Sequence, residues 1–464
     1  MLDKPKKSIL LSNKLGGMKM GINNELLTEF KVRFDANNTN QVIKGAIAKV
    51  GIDDASLDNN VLRRHPFEFS NETKRGAITN QQSSGRCWMF AALNTARVDT
   101  MEKLNMDSFE FSQNYTLFWD KLEKANYFLD SILETLDEPQ NSRIVSHLLM
   151  DPVQDGGQWD MFSGLLEKYG AVPKSVMPET FHSSNTRKLN SVLTSKLREF
   201  ACQLREAYQA GSSLNELTEN KETMLYFIYT VLVKALGEVP ESFTYTYRNK
   251  EGEYCRINEL TPQDFFKEYV GWDLTSLVSL LNAPTEDKPF GRAYTVKYLG
   301  TVKEAKPIQY INVPIQVLKE AAVASIKDAQ PVWFGCDVGK MLVRDSGIMD
   351  EHSYNYELTL GEGNGLTKAQ RLDYGDSLLT HAMVFVGVDL DEQGQPLTWK
   401  VENSWGDKSG KKGIYSMSDK WFEEFNYQIA VDKKYIPEKW LKALEQPVIA
   451  LEPWDPMGAL ALVK

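Results

Sequence analysis

A cysteine stands at position 87 in the run Gln81-Gln82-Ser83-Ser84-Gly85-Arg86-Cys87-Trp88, six residues after a glutamine and directly before an aromatic. Far downstream come Thr380-His381-Ala382 and Glu402-Asn403-Ser404-Trp405-Gly406. Cysteine, histidine and asparagine in that chain order supply the parts of a thiol hydrolase. A thiol attacks a carbonyl only as its thiolate. Cys87 opens an apolar, helix-forming run, and the unpaired N–H groups at a helix start favour negative charge. His381 would accept the thiol proton as general base and return it to the leaving amine as general acid. Asn403 would hold the imidazole in one tautomer by accepting from its other N–H, with Trp405 covering the contact. The Gln81 amide and the Cys87 backbone N–H are the expected oxyanion donors, and losing one such donor costs on the order of 10²–10³ in rate. This chemistry needs neither a metal nor an organic cofactor.

Each residue also has a plainer reading. A lone cysteine in an apolar helix is usually a small core residue, and Cys202, Cys255 and Cys336 are read that way. His65, His147, His182 and His352 lie in no comparable context and read as structural or surface residues. Gly156 and Gly157 fit a turn equally with a bare backbone edge that pairs with substrate.

These residues must be positioned by two kinds of element. Asn23 to about Asp35 has helical periodicity, whereas residues 51–86 read as extended and loop-like. Residues 87–104 form a helix that is apolar nearly all round, hence buried. Helices are also expected over Ser112–Phe128 and over Trp159–Tyr169, stopping at Gly170. Residues 183–240 are helix-rich, and Thr244–Arg248 with Gly252–Arg256 suggest a hairpin. After about residue 328, β-branched and alternating runs between Gly and Asp turns predict strands at Val332–Val338, Ala382–Asp389, Thr398–Asn403 and Gly413–Ser416. The fold class is therefore α+β: a helical part carrying the cysteine and a β part carrying the histidine and asparagine, with a cleft between them.

Composition narrows the partners. The chain has 464 residues, 42% hydrophobic and 25% charged, with a net charge of −10. That balance argues against nucleic acid and against anionic membrane as general partners. The four cysteines show no C-x-x-C spacing, so neither a zinc site nor a disulfide framework is expected. No window approaches the ~18 apolar residues of a membrane span. The basic N-terminus is followed by an apolar run of only Ile9–Leu11, well short of the ~7–15 residues of a signal peptide. A cytoplasmic protein is expected.

The run Ser84-Gly85-Arg86-Cys87-Trp88 is similar to the papain-type signature C-G-[SA]-C-[WY], without its first cysteine. The G-R-C-W variant, Asp155-Gly156-Gly157-Gln158-Trp159, Thr380-His381-Ala382-Met383, Val401–Gly406 and the tail Pro453–Ala461 resemble the bleomycin hydrolase family, whose bacterial members are aminopeptidases C. The resemblance runs from about residue 25 to the C-terminus. It implies a papain-like, two-lobed fold with a peptidase domain at 23–464, preceded by basic, unpatterned residues 1–22 that read as an N-terminal arm or extension. That domain would comprise a helical lobe at 87–180, a helical insertion at about 183–290, a β lobe at about 300–440 and a C-terminal arm at 441–464. The 294 positions between Cys87 and His381 would contain that insertion.

The resemblance further implies homohexamers acting on peptides, with the terminal carboxylate of the arm meeting the substrate's free α-amine. Ala461 and Lys464 are thereby candidate substrate-binding residues, beside Gly156, Gly157 and Trp405. The expected activity is a cysteine aminopeptidase of broad specificity. The alternatives are an endopeptidase or amide/thiolactone hydrolase using the same site, or a nucleic-acid-binding protein. Here Leu462-Val463-Lys464 follow the family's G-A-L-A motif, so the enzyme is expected to remove at least Lys464 itself. Intact mass of active protein checks this, and a fully active population that retains Lys464 refutes it.

Overall fold

The computed structural model describes residues 21–363 and 365–459. The chain divides into two compact units, Met1–Asp58 with Tyr354–Asn364, and Asn59–Ser353 with Gly365–Lys464. In the smaller unit, helix α1 (Asn24–Asp35) and helix α2 (Asn38–Val50) are started by asparagines. Asn23 Oδ1 accepts from Leu26 N at 2.9 Å and Asn37 Oδ1 from Thr39 N at 3.0 Å, so each side chain satisfies a first-turn donor. Neither helix buries a residue, and Leu27, Phe30 and Phe34 are exposed. The first helix matches the expected one; the second was not assigned from sequence. Residues 51–86, expected to be extended, include short helices at Ile52–Ser56 and Asn59–Arg64. Segments of one or two turns are too short to display a 3.6-residue period, so their pattern was read as loop.

The first long helices of the larger unit include the one that starts at Cys87. Helix α3 (Cys87–Lys103) is buried at fourteen of its 17 residues, which is why its apolar character runs round the whole helix. Helix α4 (Gln113–Glu134) is capped by Ser112. Helices α5 (Arg143–Met150) and α6 (Trp159–Tyr169) follow. Helix α6 stops at Gly170, where φ is +67° and a Cβ would lie 2.2 Å from the Pro262 carbonyl oxygen. Two long helices, α7 (Arg187–Gln209) and α8 (Leu214–Leu236), pack on α4. The hairpin β1 (Phe243–Arg248) and β2 (Tyr254–Leu260) is antiparallel, with its second strand starting two residues later than expected.

The remaining elements build a large sheet. In chain order they are β3 (Leu277–Leu281), β4 (Arg292–Val296), β5 (Tyr310–Asn312), helix α9 (Ile315–Lys327), β6 (Val332–Cys336), β7 (His381–Leu390), β8 (Pro396–Glu402), β9 (Ile414–Ser418), helix α10 (Asp419–Phe425), β10 (Asn426–Asp432) and β11 (Ile449–Leu451). The spatial order is β11-β4-β5-β3-β10-β6-β7-β8-β9. β7 pairs antiparallel with β6, Met383 opposite Phe334, and antiparallel with β8, Val384 opposite Glu402. A short strand at Asn71–Glu72 also pairs with β7, and the next strand of the sheet, at Leu277, lies inside the stretch expected to be helical insertion. The sheet also takes a strand, Ile449–Leu451, from the stretch expected to be the arm.

Alternation along β7 divides the apolar residues between two cores. Ala382, Val384 and Val386 face the core that contains α3, while Met383 and Phe385 face a second core with Phe334, Trp399 and Phe422, joined by Val388 after a bulge between Phe385 and Gly387. Among the described residues no helix is long and apolar enough to cross a membrane. Phe385 is fully buried and stacks on Phe334, ring centroids 3.8 Å apart. Phe385→Ala is expected to destabilise the protein by about 3–5 kcal/mol through the cavity it leaves. Thermal unfolding measures it, and an unchanged transition would contradict this packing.

Candidate active site

Cys87 is the first residue of α3 and is fully buried. Arg86 before it has no exposed surface and is held from two sides. Its Nη1 and Nη2 donate to Glu179 Oε1 and Oε2 at 3.0 and 2.8 Å, and its Nε donates to Ser84 Oγ at 2.8 Å. Gly85 N donates to Asp155 Oδ2 at 2.9 Å. After the cysteine, Trp88 Nε1 donates to the Asp155 carbonyl at 2.7 Å, and Trp333 Nε1 of β6 donates to the Trp88 carbonyl at 3.0 Å. The sulfur is thus carried on a segment fixed on both sides. Backbone N–H groups of Ala382, Trp88 and Cys87 favour its thiolate, but burial outweighs them and pushes the thiol up to about 12.

The neighbour of Ala382 is His381, the first residue of β7 and fully buried. Its Nε2 lies 2.9 Å from Asn403 Oδ1. Asn403 Oδ1 also accepts from Ser404 N at 2.8 Å, which identifies the atom as the oxygen. An acceptor-only partner assigns the ring hydrogen to Nε2 and leaves a lone pair on Nδ1. That Nδ1 is buried without a hydrogen-bond partner among the described residues. Trp405 covers the pair, its ring 4.8 Å from the imidazole, and Arg344 stacks on Trp405 at 4.3 Å. Burial, followed by the Arg344 charge, lowers His381 to about 4 against the support of Asn403.

Gln81 joins the two groups. Gln81 N donates to the Ser404 carbonyl at 2.8 Å, and Ser404 Oγ donates to Gln81 Oε1 at 2.7 Å. One hydrogen of its amide goes to the Ser84 carbonyl at 2.7 Å, which leaves the second as the only one open to an oxyanion. Helix α3 is bound to β8 by a buried ion pair, Arg97 Nη2 to Glu402 Oε1 at 2.6 Å, with Arg97 Nη1 on the Ala77 carbonyl at 2.7 Å. The four residues chosen from sequence as catalytic are therefore drawn together from a loop, a helix start, a strand start and a strand end.

Of the two readings left open for the glycine pair, the geometry bears on the bare edge. Gly156 is not a bare edge: its N–H donates to Gln154 Oε1 and its carbonyl accepts from Lys124 Nζ at 2.7 Å. Both glycines are buried. At Gly157 a Cβ would lie 2.4 Å from the Trp88 indole, so this position lacks a side chain because Trp88 packs there. Ala461 and Lys464 lie outside the described residues. The arm before them is held by Gln158 Nε2, which donates to the carbonyls of Met457 at 3.3 Å and Ala459 at 2.7 Å. Cys336 is buried in β6 as expected, whereas Cys202 is exposed on α7 and is no core residue.

Asp155 and the Arg86–Glu179 pair were not singled out from sequence. Asp155 is buried, and its carboxylate accepts from Gly85 N, Thr186 Oγ1, Lys121 Nζ at 2.7 Å and Asn190 Nδ2 at 2.7 Å. Burial would raise its pKa, but the Lys121 ammonium and the other donors hold it well below the usual carboxylate range. Charged residues read as surface residues in a sequence. The usable signal was that Asp155 opens the Asp155–Trp159 motif.

A family model described as the Peptidase C1-like family matches residues 21–458. The chain is 48% identical to an aminopeptidase C of Listeria monocytogenes over 94% of its length and 98% of the relative's. It is 42% identical to the bleomycin hydrolase of Homo sapiens over 86% and 89% of the two chains. The crystal structure of PepW from Lactobacillus rhamnosis HN001 superposes with a TM-score of 0.94 at 45% identity, covering 96% of this chain and 100% of that one. With its α+β, papain-like architecture and this match along almost its whole length, the chain belongs to the Peptidase C1-like family.

Proposed function

We propose that Cys87 is the nucleophile, His381 the general base and acid, Asn403 its orienter and Gln81 an oxyanion donor of a cysteine aminopeptidase that releases N-terminal residues from peptides. The cysteine aminopeptidase activity itself is supported by relatives named aminopeptidase C and bleomycin hydrolase at 42–48% identity over most of the chain. The observation that carries the residue roles is the buried His381–Asn403 contact beneath Trp405, with Nδ1 left unpartnered next to the residue that faces the Cys87 sulfur.

The steps follow from the donors and acceptors available. As the sulfur attacks the carbonyl carbon of the first peptide bond, its proton passes to His381 Nδ1. The oxyanion forms against the open hydrogen of the Gln81 amide and the Cys87 N–H. The imidazolium then protonates the leaving amine as the C–N bond breaks, which leaves a thioester on Cys87. Water, deprotonated by His381, hydrolyses the thioester and restores the thiol.

Further parts of the reading concern context. Specificity at the first residue is broad. The protein works in the cytoplasm, where Ser84 in place of the signature's first cysteine suits a reducing compartment. It assembles as a homohexamer, which agrees with helices α1 and α2 burying none of their own apolar residues. The arm leads its terminal carboxylate toward the substrate's α-amine. The sheet from Leu277 onward forms the β part, and α7 with α8 forms the core of the insertion.

Two measurements test the reading. An aminoacyl fluorogenic amide with a free amine is expected to be cleaved while its N-acetylated twin is not, and Cys87→Ala is expected to fold and be inactive. Equal cleavage of the twins would make the enzyme an endopeptidase or general amidase, and an active Cys87→Ala would displace the nucleophile. The pH profile is the second. A base is competent above its pKa, and burial lowers His381 to about 4. The acid limb of kcat/KM is therefore expected near 4, so that the rate is already flat at the ~6.5 of an unperturbed histidine. A limb centred near 6.5 would contradict a buried base.

A further inference from the structure

A cavity of about 510 Å³ opens beside the candidate site, bounded by Thr380, the residue before His381, and by Ala459 of the arm. Its size is that of a small-ligand pocket. The walls are mainly apolar, with Phe128 from α4, Leu148 from α5, Met161 from α6 and Leu379 from the segment leading into β7. Lys124, His147 and Asp151 also line it, with the phenols of Tyr127 and Tyr298. Lys124 has no donor to spare, because its ammonium already serves Asp120 Oδ2 at 2.9 Å and the carbonyls of Gln154 and Gly156 at 2.9 and 2.7 Å. His147 is kept neutral by burial and by Arg143, both of which lower its pKa. Asp151 is different: it is exposed at the rim, and its carboxylate makes no hydrogen bond or ion pair to any described residue, although the charges of Lys121, Lys124 and Arg198 reach it. A carboxylate left unpaired at the edge of an apolar cavity is a ready partner for a cation.

We propose that this cavity receives the side chain of the peptide's first residue, long apolar side chains along its walls and lysine or arginine with its charged end on Asp151. The proposal rests on the aminopeptidase reading above. It accounts for broad specificity without rearrangement, because the stems of Lys and Arg are themselves apolar and can lie on the same walls as Leu or Phe. It also sets a limit. An acidic side chain would meet Asp151 and find no free ammonium, since Lys124 is fully committed.

The test compares kcat/KM for leucyl, arginyl and glutamyl fluorogenic amides in the wild type and in Asp151→Asn. The arginyl substrate is expected to fall about tenfold or more, the size of a lost charge-assisted contact. The leucyl substrate is expected to stay within about twofold and the glutamyl substrate, poor in the wild type, to improve. Opposite movement of the two charged substrates is a signature that a damaged fold cannot produce. Unchanged ratios, or an equal loss on all three, would overturn the proposal. Leu378→Trp, which narrows the cavity, is expected to lower the leucyl and arginyl rates and spare an alanyl amide, and loss of alanyl cleavage alone would also refute it. An active wild type inactivated by Cys87→Ala but indifferent to Asp151→Asn would reject the pocket and keep the nucleophile.

Discussion

The Asp155 carboxylate is the constraint on which the geometry of the site depends. A buried carboxylate is expensive unless its lone pairs are filled. Here two acceptor positions on each oxygen take the loop before the nucleophile at Gly85, helix α4 at Lys121, and the start of α7 at Thr186 and Asn190. Its own carbonyl holds Trp88. Removing the carboxylate would leave Lys121 charged and unpaired with no surface exposed, which typically costs 3–5 kcal/mol. One side chain thereby fixes the residues before and after Cys87 against the helices on which the insertion is built.

The β part is tied to the nucleophile helix by equally dry contacts. Arg97 of α3 reaches Glu402, the neighbour of Asn403, and Gln81 is strapped to Ser404 through both backbone and side chain. Sheet geometry does the rest. Because successive side chains of β7 point to opposite faces, Ala382 meets the core around α3 while His381 is turned toward Asn403 and Trp405. A one-residue slip in this strand would exchange the two faces and turn His381 away from Asn403 and Trp405. The bulky Phe334, Phe385, Trp399 and Phe422 on the other face hold the register by packing.

How much of this was legible in the sequence depends on what kind of interaction is involved. Helix α3 begins at Cys87 and α6 spans Trp159–Tyr169 as expected, because long apolar periodicity and a terminating Gly170 are local signals. The choice of Cys87, His381, Asn403 and Gln81 rested on residue types with few alternative uses, set in distinctive neighbourhoods. Strands β3, β4 and β5 lie in a stretch read only as mixed, since strand pairing is decided by partners far away in the chain. The buried charges were the least legible: Arg86, Arg97 and Lys121 look like surface residues until their partners are known, and only its motif marked Asp155. At Gly157 the sequence left a turn and an open edge as equal readings, and neither named the Trp88 ring that leaves no room for a Cβ there.

The electrostatics of the pair decide how such a site can remain inert until it is used. Burial disfavours the charged form of each member, raising the Cys87 thiol and lowering the His381 imidazole. Neither group has reason to ionise alone at neutral pH. In the proposed reaction, passing one proton from sulfur to nitrogen would create both charges together, and their mutual attraction in a low-dielectric setting would offset part of the desolvation each would suffer singly. The backbone N–H groups around the sulfur stabilise the thiolate, while Asn403 stabilises the imidazolium. In the mechanism proposed above, the charge that develops on sulfur would then pass to the carbonyl oxygen, beside the Gln81 amide. The same dryness that raises the thiol therefore strengthens every contact made to the transition state.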